Sequence, residues 1–436
     1  PGADTLPPVK PKTLPTPPAL KKKEEKPAKK KKNPIYLRAR TVEAYVYRLN
    51  GKNELDHLQS EGSVHVQQAP EKAGENGVDI KGDHLHLKHH PEGNILKVKS
   101  DTDDLARLVM GQITILGPQV TIDQVRNQAY VFRDGAMTIE SETDFQGRKL
   151  KKSAPLTIHW KKSMFFDGNS ATFYGDIQAD QNNSLLTCEV LRVVFDKRVS
   201  LKRGDSSKGA KVHHLLCEKA VQVEDSLVEK GKFVKSQRLR GFEVSYDNKA
   251  GVVRAKGPGD VRIIQIEPDK AKAAKSKMPF KMTYVMYHRR MYANDQSNTV
   301  KFYSNVRVLY SPVAKRHVEV NLAKVLAGNI PDGAMYIRSD VLELYRRPKA
   351  QGKPNQELNA TGRVSVRARE FYGTADKMTY NEEKDQVIFE GGTGSTATLF
   401  KRGRPGAPWQ KVDARKIIYI RKTGQHQAFG VKGASR

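Results

Sequence analysis

The sequence predicts an elongated all-β protein built from three tandem repeats of antiparallel strands. From Ile35 onward, apolar and polar residues alternate with period two in short runs, which polar or glycine-containing turns interrupt. Helical periodicity is scarce. Sequence patterns also recur at long intervals, as is typical of repeat architectures.

Residues 1–34 precede the first strand pattern and differ from the rest in composition. They hold nine of the 22 prolines of the chain, many lysines and no apolar periodicity. Such a segment buries too little apolar surface to offset its conformational entropy. We therefore expect a disordered Pro/Lys-rich linker that leads to a membrane anchor or to another domain in a missing N-terminal segment, with a free tail as the alternative.

The charge of the chain restricts its partners. The formal net charge is +29 and the isoelectric point is about 9.8, which favours phosphorylated lipid, nucleic acid or acidic glycan. The sequence 285–292 interleaves aromatic and basic residues, but no RNA- or DNA-binding motif accompanies it, so no nucleic acid is expected. No apolar run is long enough for a transmembrane helix.

Repetition begins with the stretch ATFYGDIQAD at 171–180, which returns in altered form as VKFYSNVRVL at 300–309. Three longer segments also align, and each is followed by a strand, a polar turn and another strand. They are 54–66, 211–223 and 355–366.

These alignments divide the folded part into three repeats at 35–156, 157–282 and 283–436, of which the first lacks its leading strands. Antiparallel strands with one apolar face cannot bury that face alone, so stacked repeats should share one apolar interior. The segment 316–328 fits a short helix nearly as well as a strand.

A second set of patterns resembles a known family. Ala-x-x-Met-x-Tyr, a polar turn and Val-x-x-x-Gly occur at 375–391, and Ala-x-x-Ile-x-Tyr with a late glycine follows at 414–430. Gly-x-Val-x-Val strands occur at 62–66 and 362–366. Together they resemble the organic-solvent-tolerance (OstA-like) or lipopolysaccharide-transport β-jellyroll family of Gram-negative envelopes. The resemblance covers most of residues 40–436 as a repeated pattern.

The resemblance implies a tandem β-jellyroll, in which two facing antiparallel sheets form a V around a hydrophobic groove for acyl chains. It implies a periplasmic bridge that carries lipopolysaccharide or other anionic lipid toward the outer membrane, in outer-membrane biogenesis. Exposed strand edges are expected at 41–49 and 415–422, where envelope transport proteins could pair, and head-to-tail self-association is left open. The basic insertion 268–280 has no counterpart in the family pattern.

The alternation within single strands predicts which side chains line the groove, since residues two apart share a face. We expect Phe195→Arg or Phe389→Arg to abolish lipid binding and to leave the β structure intact. A closed sandwich core is the alternative for the same residues. The predicted lipid-groove residues are Trp160, Phe173, Ile177, Leu191, Val193, Phe195, Phe302, Val306, Val308, Val364, Val366, Met378, Tyr380 and Phe389.

Basic residues, histidines and cysteines are the remaining candidate features. Basic residues at 289–290, 346–347 and 401–404 could contact lipid phosphates, and solvated turns are the alternative. His84 and His86 share a strand face without further ligands, so neither a metal nor a cofactor is predicted. The two cysteines are placed in strands, and whether they pair is left open.

No catalytic signature is present in the sequence, so the protein is not expected to be an enzyme. Two functional alternatives to the lipid carrier remain. One is a structural or adhesive envelope β-scaffold without a ligand, and the other is a glycan-active β-solenoid.

Overall fold

The computed structural model of the protein confirms the all-β class and its antiparallel sheets. Its strands join in one hydrogen-bonded antiparallel network. It describes residues 33–70, 77–111, 113–143, 149–202, 211–229, 231–266, 278–316, 325, 329–347, 355–381, 383–402 and 406–435.

The strands, in chain order, are β1 (Ile35–Arg38), β2 (Thr41–Leu49), β3 (Lys52–Gln68), β4 (Val78–His90), β5 (Gly93–Lys99), β6 (Ala106–Met110), β7 (Ile113–Gly117), β8 (Gln119–Asp123), β9 (Gln128–Phe132), β10 (Gly135–Thr143), β11 (Lys149–Trp160), β12 (Ser163–Phe166), β13 (Ser170–Gln181), β14 (Ser184–Phe195), β15 (Val212–Glu229), β16 (Lys232–Asp247), β17 (Val252–Lys256), β18 (Gly259–Ile266), β19 (Phe280–Tyr287), β20 (Arg290–Asn294), β21 (Thr299–Val313), β22 (Met335–Arg347), β23 (Asn355–Ala368), β24 (Phe371–Asn381), β25 (Gln386–Glu390), β26 (Ala397–Lys401), β27 (Gln410–Ile420) and β28 (Gln425–Ser435).

Long strands contribute to two sheets, and short strands contribute to one. Sheet A contains β2, β5, β8, β9, β12, β17, β20 and β25, and sheet B contains β1, β6, β7, β10, β11, β18, β19 and β26. Between them, long strands such as β13 pair with sheet A through one half and with sheet B through the other. The sheets therefore face each other and are joined along the bends of the long strands.

In five of the long strands the bend is made by two consecutive residues with positive φ, where the strand register shifts. At such a position an ordinary L-residue is disfavoured, whereas glycine, asparagine and aspartate are tolerated. The bends are Gly62–Ser63, Gly175–Asp176, Lys219–Ala220, Ser304–Asn305 and Gly362–Arg363.

The bends explain the repeated decapeptide. In both copies an aromatic pair precedes the bend: Phe173 and Tyr174 in β13, Phe302 and Tyr303 in β21. The phenylalanine ring packs against an aromatic ring of sheet B with nearly the same geometry in both copies. The ring centroids are 5.4 Å apart for Phe173 and Trp160, and 5.7 Å apart for Phe302 and Tyr287. The repeat thus encodes a strand that turns from one sheet into the other. The boundaries of the three repeats stay predictions.

One predicted edge is wrong. RKIIYIRK belongs to β27, which pairs with β25 and β26 on one side and with β28 on the other. Period-two alternation shows that a segment is a strand but not how many neighbours it has. TVEAYVYRL forms β2, which pairs only with β3 in the described part of the chain.

The structure also bears on the expectations for the segments 316–328 and 1–34, for the two cysteines and for membrane-spanning helices. The predicted helix or strand at 316–328 lies almost wholly outside the described residues, as does most of the linker 1–34. Cys188 and Cys217 are both buried free thiols, and the hydrogen bond between them, together with burial, raises the pKa of Cys217 well above that of an ordinary thiol. Within the described residues, no helix is long and apolar enough to cross a bilayer.

Candidate lipid-binding interior

An apolar row crosses sheet A from one end to the other. Directly paired residues on neighbouring antiparallel strands point to the same face, so the strand register defines the row. Every member is apolar except Ser60, which is buried. We call it row A: Val42, Ser60, Leu85, Val98, Val120, Val131, Met164, Phe173, Leu191, Cys217, Val244, Ala255, Met291, Phe302, Leu342, Ala360, Met378, Phe389, Ile417 and Ala428.

A matching row crosses sheet B and faces row A. Its members are apolar, with one glycine. We call it row B: Leu37, Val66, Ile80, Leu108, Ile115, Met137, Ile158, Ala179, Leu186, Val223, Leu239, Val261, Val285, Val308, Ile337, Val366, Gly373, Leu399 and Val412.

The two rows form one continuous hydrophobic cluster that reaches from β3 to β27. Neighbouring strands lie about 4.8 Å apart, so about nineteen steps give an apolar track of roughly 90 Å. Such a length exceeds that of an ordinary globular core, and it follows from the ladder rather than from any single repeat.

All fourteen predicted groove residues lie in this interior. Twelve are buried, and Phe195 and Tyr380 are half-buried. Phe195 lies near the end of β14, with its ring 6.3 Å from that of Phe166. The structure thus brings together residues that are distant in sequence, and their role as a lipid groove stays a prediction.

The two sheets are in contact near the bends. A Cβ atom added to Gly373 in sheet B would lie 2.7 Å from Cε1 of Phe389 in sheet A. Likewise, a Cβ atom added to Gly117 in sheet B would lie 2.3 Å from Cγ1 of Val131 in sheet A. Because these glycines leave no space for a side chain, the bend side of the interior is packed like a sandwich core.

The interior ends in a polar row on the free side of sheet B, away from the bends. In β14, Ser184 Oγ donates a hydrogen bond to Asp225 Oδ1 at 2.7 Å, and Gln237 Nε2 donates to Asp225 Oδ2 at 3.3 Å. Lys235 Nζ then donates to Gln237 Oε1 at 3.1 Å. This row, which we call the polar lip, marks where the apolar surface gives way to solvent. Period-two reasoning missed it, because polar residues at inward positions weaken the alternation.

The ends of the ladder are partly uncovered. Val42, the first residue of row A, is 48% exposed, and neighbouring β2 residues such as Val46 are exposed too. At the other end Phe429 and Val431 of β28 are exposed. In the described part of the chain β28 pairs only with β27. Both terminal strands therefore present unpaired backbone groups, which favour the addition of a further strand.

The basic strand ends are not equivalent. Arg290 lies over the ring of Tyr303 at 4.5 Å, and Arg347 is paired with Glu357 at 2.8 Å. Arg402 instead lies over Trp409, at 4.7 Å from the ring centroid. Arg404 is outside the described residues. Of the three predicted groups, the third thus lies beside an exposed aromatic surface.

His84 and His86 lie on the outer face of sheet A, opposite in direction to Leu85. His84 contacts the carboxylate of Asp101, and this hydrogen bond, after that from Lys99, lowers the pKa of Asp101. Among the described residues no group of three or more side chains could hold a metal ion.

The interior is a continuous apolar cluster, and part of the chain is similar to a known family. Residues 328–425 match a lipopolysaccharide-transport family. The family is described as LptA/(LptD N-terminal domain) LPS transport protein. The resemblance predicted from the sequence is confirmed for this segment, and it supports a role in lipopolysaccharide transport. No curated protein matches the chain.

The transport-family segment, 328–425, spans the strands β22 to β27. It contains five of the predicted groove residues, and these belong to the same hydrophobic cluster as the groove residues upstream. The five are Val364, Val366, Met378, Tyr380 and Phe389.

Proposed function

We propose that the protein is a non-enzymatic periplasmic bridge that carries an anionic amphiphile of the lipopolysaccharide class between its two sheets. The observation that carries this proposal is the pair of apolar rows, which form one cluster from β3 to β27. A carrier needs one apolar track along its whole length; a closed scaffold of stacked repeats would share such an interior too, and the lipid measurement below separates the two.

Acyl chains would enter on the side of the polar lip. The bends act as the closed edge of the V, since pairs of residues with positive φ hold β3, β13, β15, β21 and β23 at their turns. The free side carries half-buried aromatic residues, such as Phe195, that can move apart at lower cost than fully packed ones. The head group would stay on the free side, outside the two sheets, while the chains lie between the rows.

The driving force is sufficient for this mechanism. Burial of one methylene group contributes about 0.8 kcal/mol, so an acyl chain of about twelve carbons gains roughly 10 kcal/mol. Rearrangement of a few half-buried side chains costs less than this amount, because each is already partly exposed.

Terminal strands supply the contacts for a bridge. β2 and β28 leave backbone groups unpaired at opposite ends of the described ladder, and the apolar rows end beside them. Strand addition by an envelope transport protein, or by a second copy of this chain, would extend both the sheets and the track. An upstream tether to the inner membrane would fix one end.

The test is mass spectrometry of an organic extract from the full chain, exported to the periplasm and purified without detergent. Stoichiometric lipid is expected for the wild type and for Phe132→Arg, since Phe132 is 58% exposed on the outer face. Lipid should be lost from Phe195→Arg. A folded, lipid-free wild type that also ignores added fatty acid would show that the interior is a closed core and would favour the scaffold.

A further inference from the structure

A second surface lies outside the interior, on the outer face of sheet B in the transport-family segment. Cross-strand pairing places four side chains in one row, in the order Arg367, Tyr372, Phe400 and Lys411. The rings of Tyr372 and Phe400 are stacked at 5.7 Å with an interplanar angle of 22°. The row thus has two aromatic rings in its centre and a cation at each end.

Both cations contact the rings. Arg367 lies 5.3 Å from the centroid of Tyr372, and Lys411 Nζ lies 5.9 Å from that of Phe400. A guanidinium that lies over a ring keeps its N–H groups available for a phosphate at its edge. The stacking therefore holds Arg367 in place without neutralising it, whereas Lys411 is paired with the carboxylate of Asp413 at 2.8 Å.

Arg402 and Trp409 extend this surface. The guanidinium of Arg402 donates from Nε and Nη2 to the carbonyl oxygen of Arg369, at 3.2 and 2.8 Å, and it lies over the ring of Trp409. Trp409 is 43% exposed. In the described part of the chain neither Arg367 nor Arg402 forms an ion pair, whereas Arg369 pairs with Asp332.

Arg367, Tyr372, Arg402 and Trp409 line a surface cavity of about 310 Å³. We call it the arginine–aromatic cavity, lined by Ile330, Arg367, Ala368, Arg369, Tyr372, Arg402 and Trp409. Its size lies at the lower end of the range for small-molecule sites. It adjoins the interior, because Ala368 packs against the hydrophobic cluster and Phe371, next to Tyr372, is buried within it.

We propose that the arginine–aromatic cavity binds the phosphorylated saccharide of the amphiphile whose chains the interior holds. The guanidinium groups of Arg367 and Arg402 bind the phosphate ester, and the exposed face of Trp409 packs against a sugar ring. This assignment rests on the proposed function for the source of the saccharide, but its chemistry can be measured alone. A lipid that stays in a membrane would not require a cavity of this shape. A free phosphate ion would not require an aromatic side chain beside the arginines.

Trp409 supplies the measurement. The only other tryptophan, Trp160, is 1% exposed, so quenching by iodide reports on Trp409. The full chain is titrated with trehalose 6-phosphate, and in parallel with trehalose, inorganic phosphate and adenosine monophosphate. We expect saturable protection of Trp409 by the sugar phosphate, at concentrations at least tenfold lower than for the other three compounds.

Variants separate the site from general charge. Arg367→Gln should weaken binding of trehalose 6-phosphate at least tenfold. Arg254→Gln is the matched control, because Arg254 lies over Tyr292 at 5.8 Å in the same kind of contact on β17; its binding should be unchanged. Both proteins should show the wild-type circular dichroism.

Four results would overturn the assignment. They are no protection by the sugar phosphate, equal protection by inorganic phosphate, tighter binding of the nucleotide, and equal loss in the two variants. None of them depends on acyl chains. A lipid-free interior with an intact response to trehalose 6-phosphate would therefore remove the proposed carrier function and leave the saccharide site standing.

Discussion

Arginine substitutions at two phenylalanines of the interior should have opposite outcomes, although the sequence predicts the same outcome for both. Phe389 is fully buried in row A, between Met378 and Ile417, and its ring lies against Gly373 of the facing sheet. Phe195 lies half-buried at the free side, where an arginine side chain can extend its head group into solvent.

The magnitudes separate the two variants clearly. Loss of a buried phenylalanine costs about 3–5 kcal/mol, and an unpaired buried charge adds at least another 3 kcal/mol. The sum approaches the whole stability of an ordinary domain, about 5–15 kcal/mol. For Phe195→Arg only part of the apolar area is lost, so the cost is about 1–2 kcal/mol.

Urea denaturation followed by circular dichroism measures both effects. Phe389→Arg should lack a cooperative transition, and Phe195→Arg should keep one at a slightly lower midpoint. If Phe389→Arg unfolds within about 1 kcal/mol of the wild type, the two sheets do not pack against each other at Gly373, and the argument for a closed bend side is wrong.

Three further predictions concern the bends and the ends. Gly362→Ala should destabilise the protein by about 1–3 kcal/mol more than Gly51→Ala. Both glycines have a φ of 76°, but only at Gly362 would the new Cβ atom meet a neighbour, Oδ2 of Asp340 at 2.6 Å. Equal urea midpoints of the two variants would contradict this. The hydrogen bond from Arg363 lowers the pKa of Asp340, so its contribution to stability is present above the usual aspartate pKa of about 3.9 and is lost as the pH falls toward the lowered value. Between pH 7 and pH 3 the urea midpoint of the wild type should therefore fall further than that of Asp340→Asn, and parallel curves would argue against the pair. Phe429→Lys should reduce self-association in sedimentation velocity without a change in the urea midpoint, and an unchanged sedimentation profile of an associating wild type would exclude β28 from the interface.

The strand class and the inward faces were predictable from the sequence, because the side-chain period of a strand is local. Alternation around Phe173 and Phe302 identifies the face that is buried in β13 and β21. The bends were not predictable in the same way, because Lys219–Ala220 adopts a positive φ just as Gly175–Asp176 does, although lysine and alanine do not favour it. The alternation in β14 similarly predicted the burial of Leu191 and Val193.

Register and neighbourhood were decided only by the tertiary structure. Nothing in RKIIYIRK shows that β28 pairs with its second edge, because a central strand and an edge strand have the same alternation. The arginine–aromatic cavity combines side chains from β23, β24 and the segments before β22, after β23 and after β26, which meet only through pairing across the sheet. Local sequence determines which face a side chain takes, whereas its neighbours on that face depend on hydrogen bonds between distant strands.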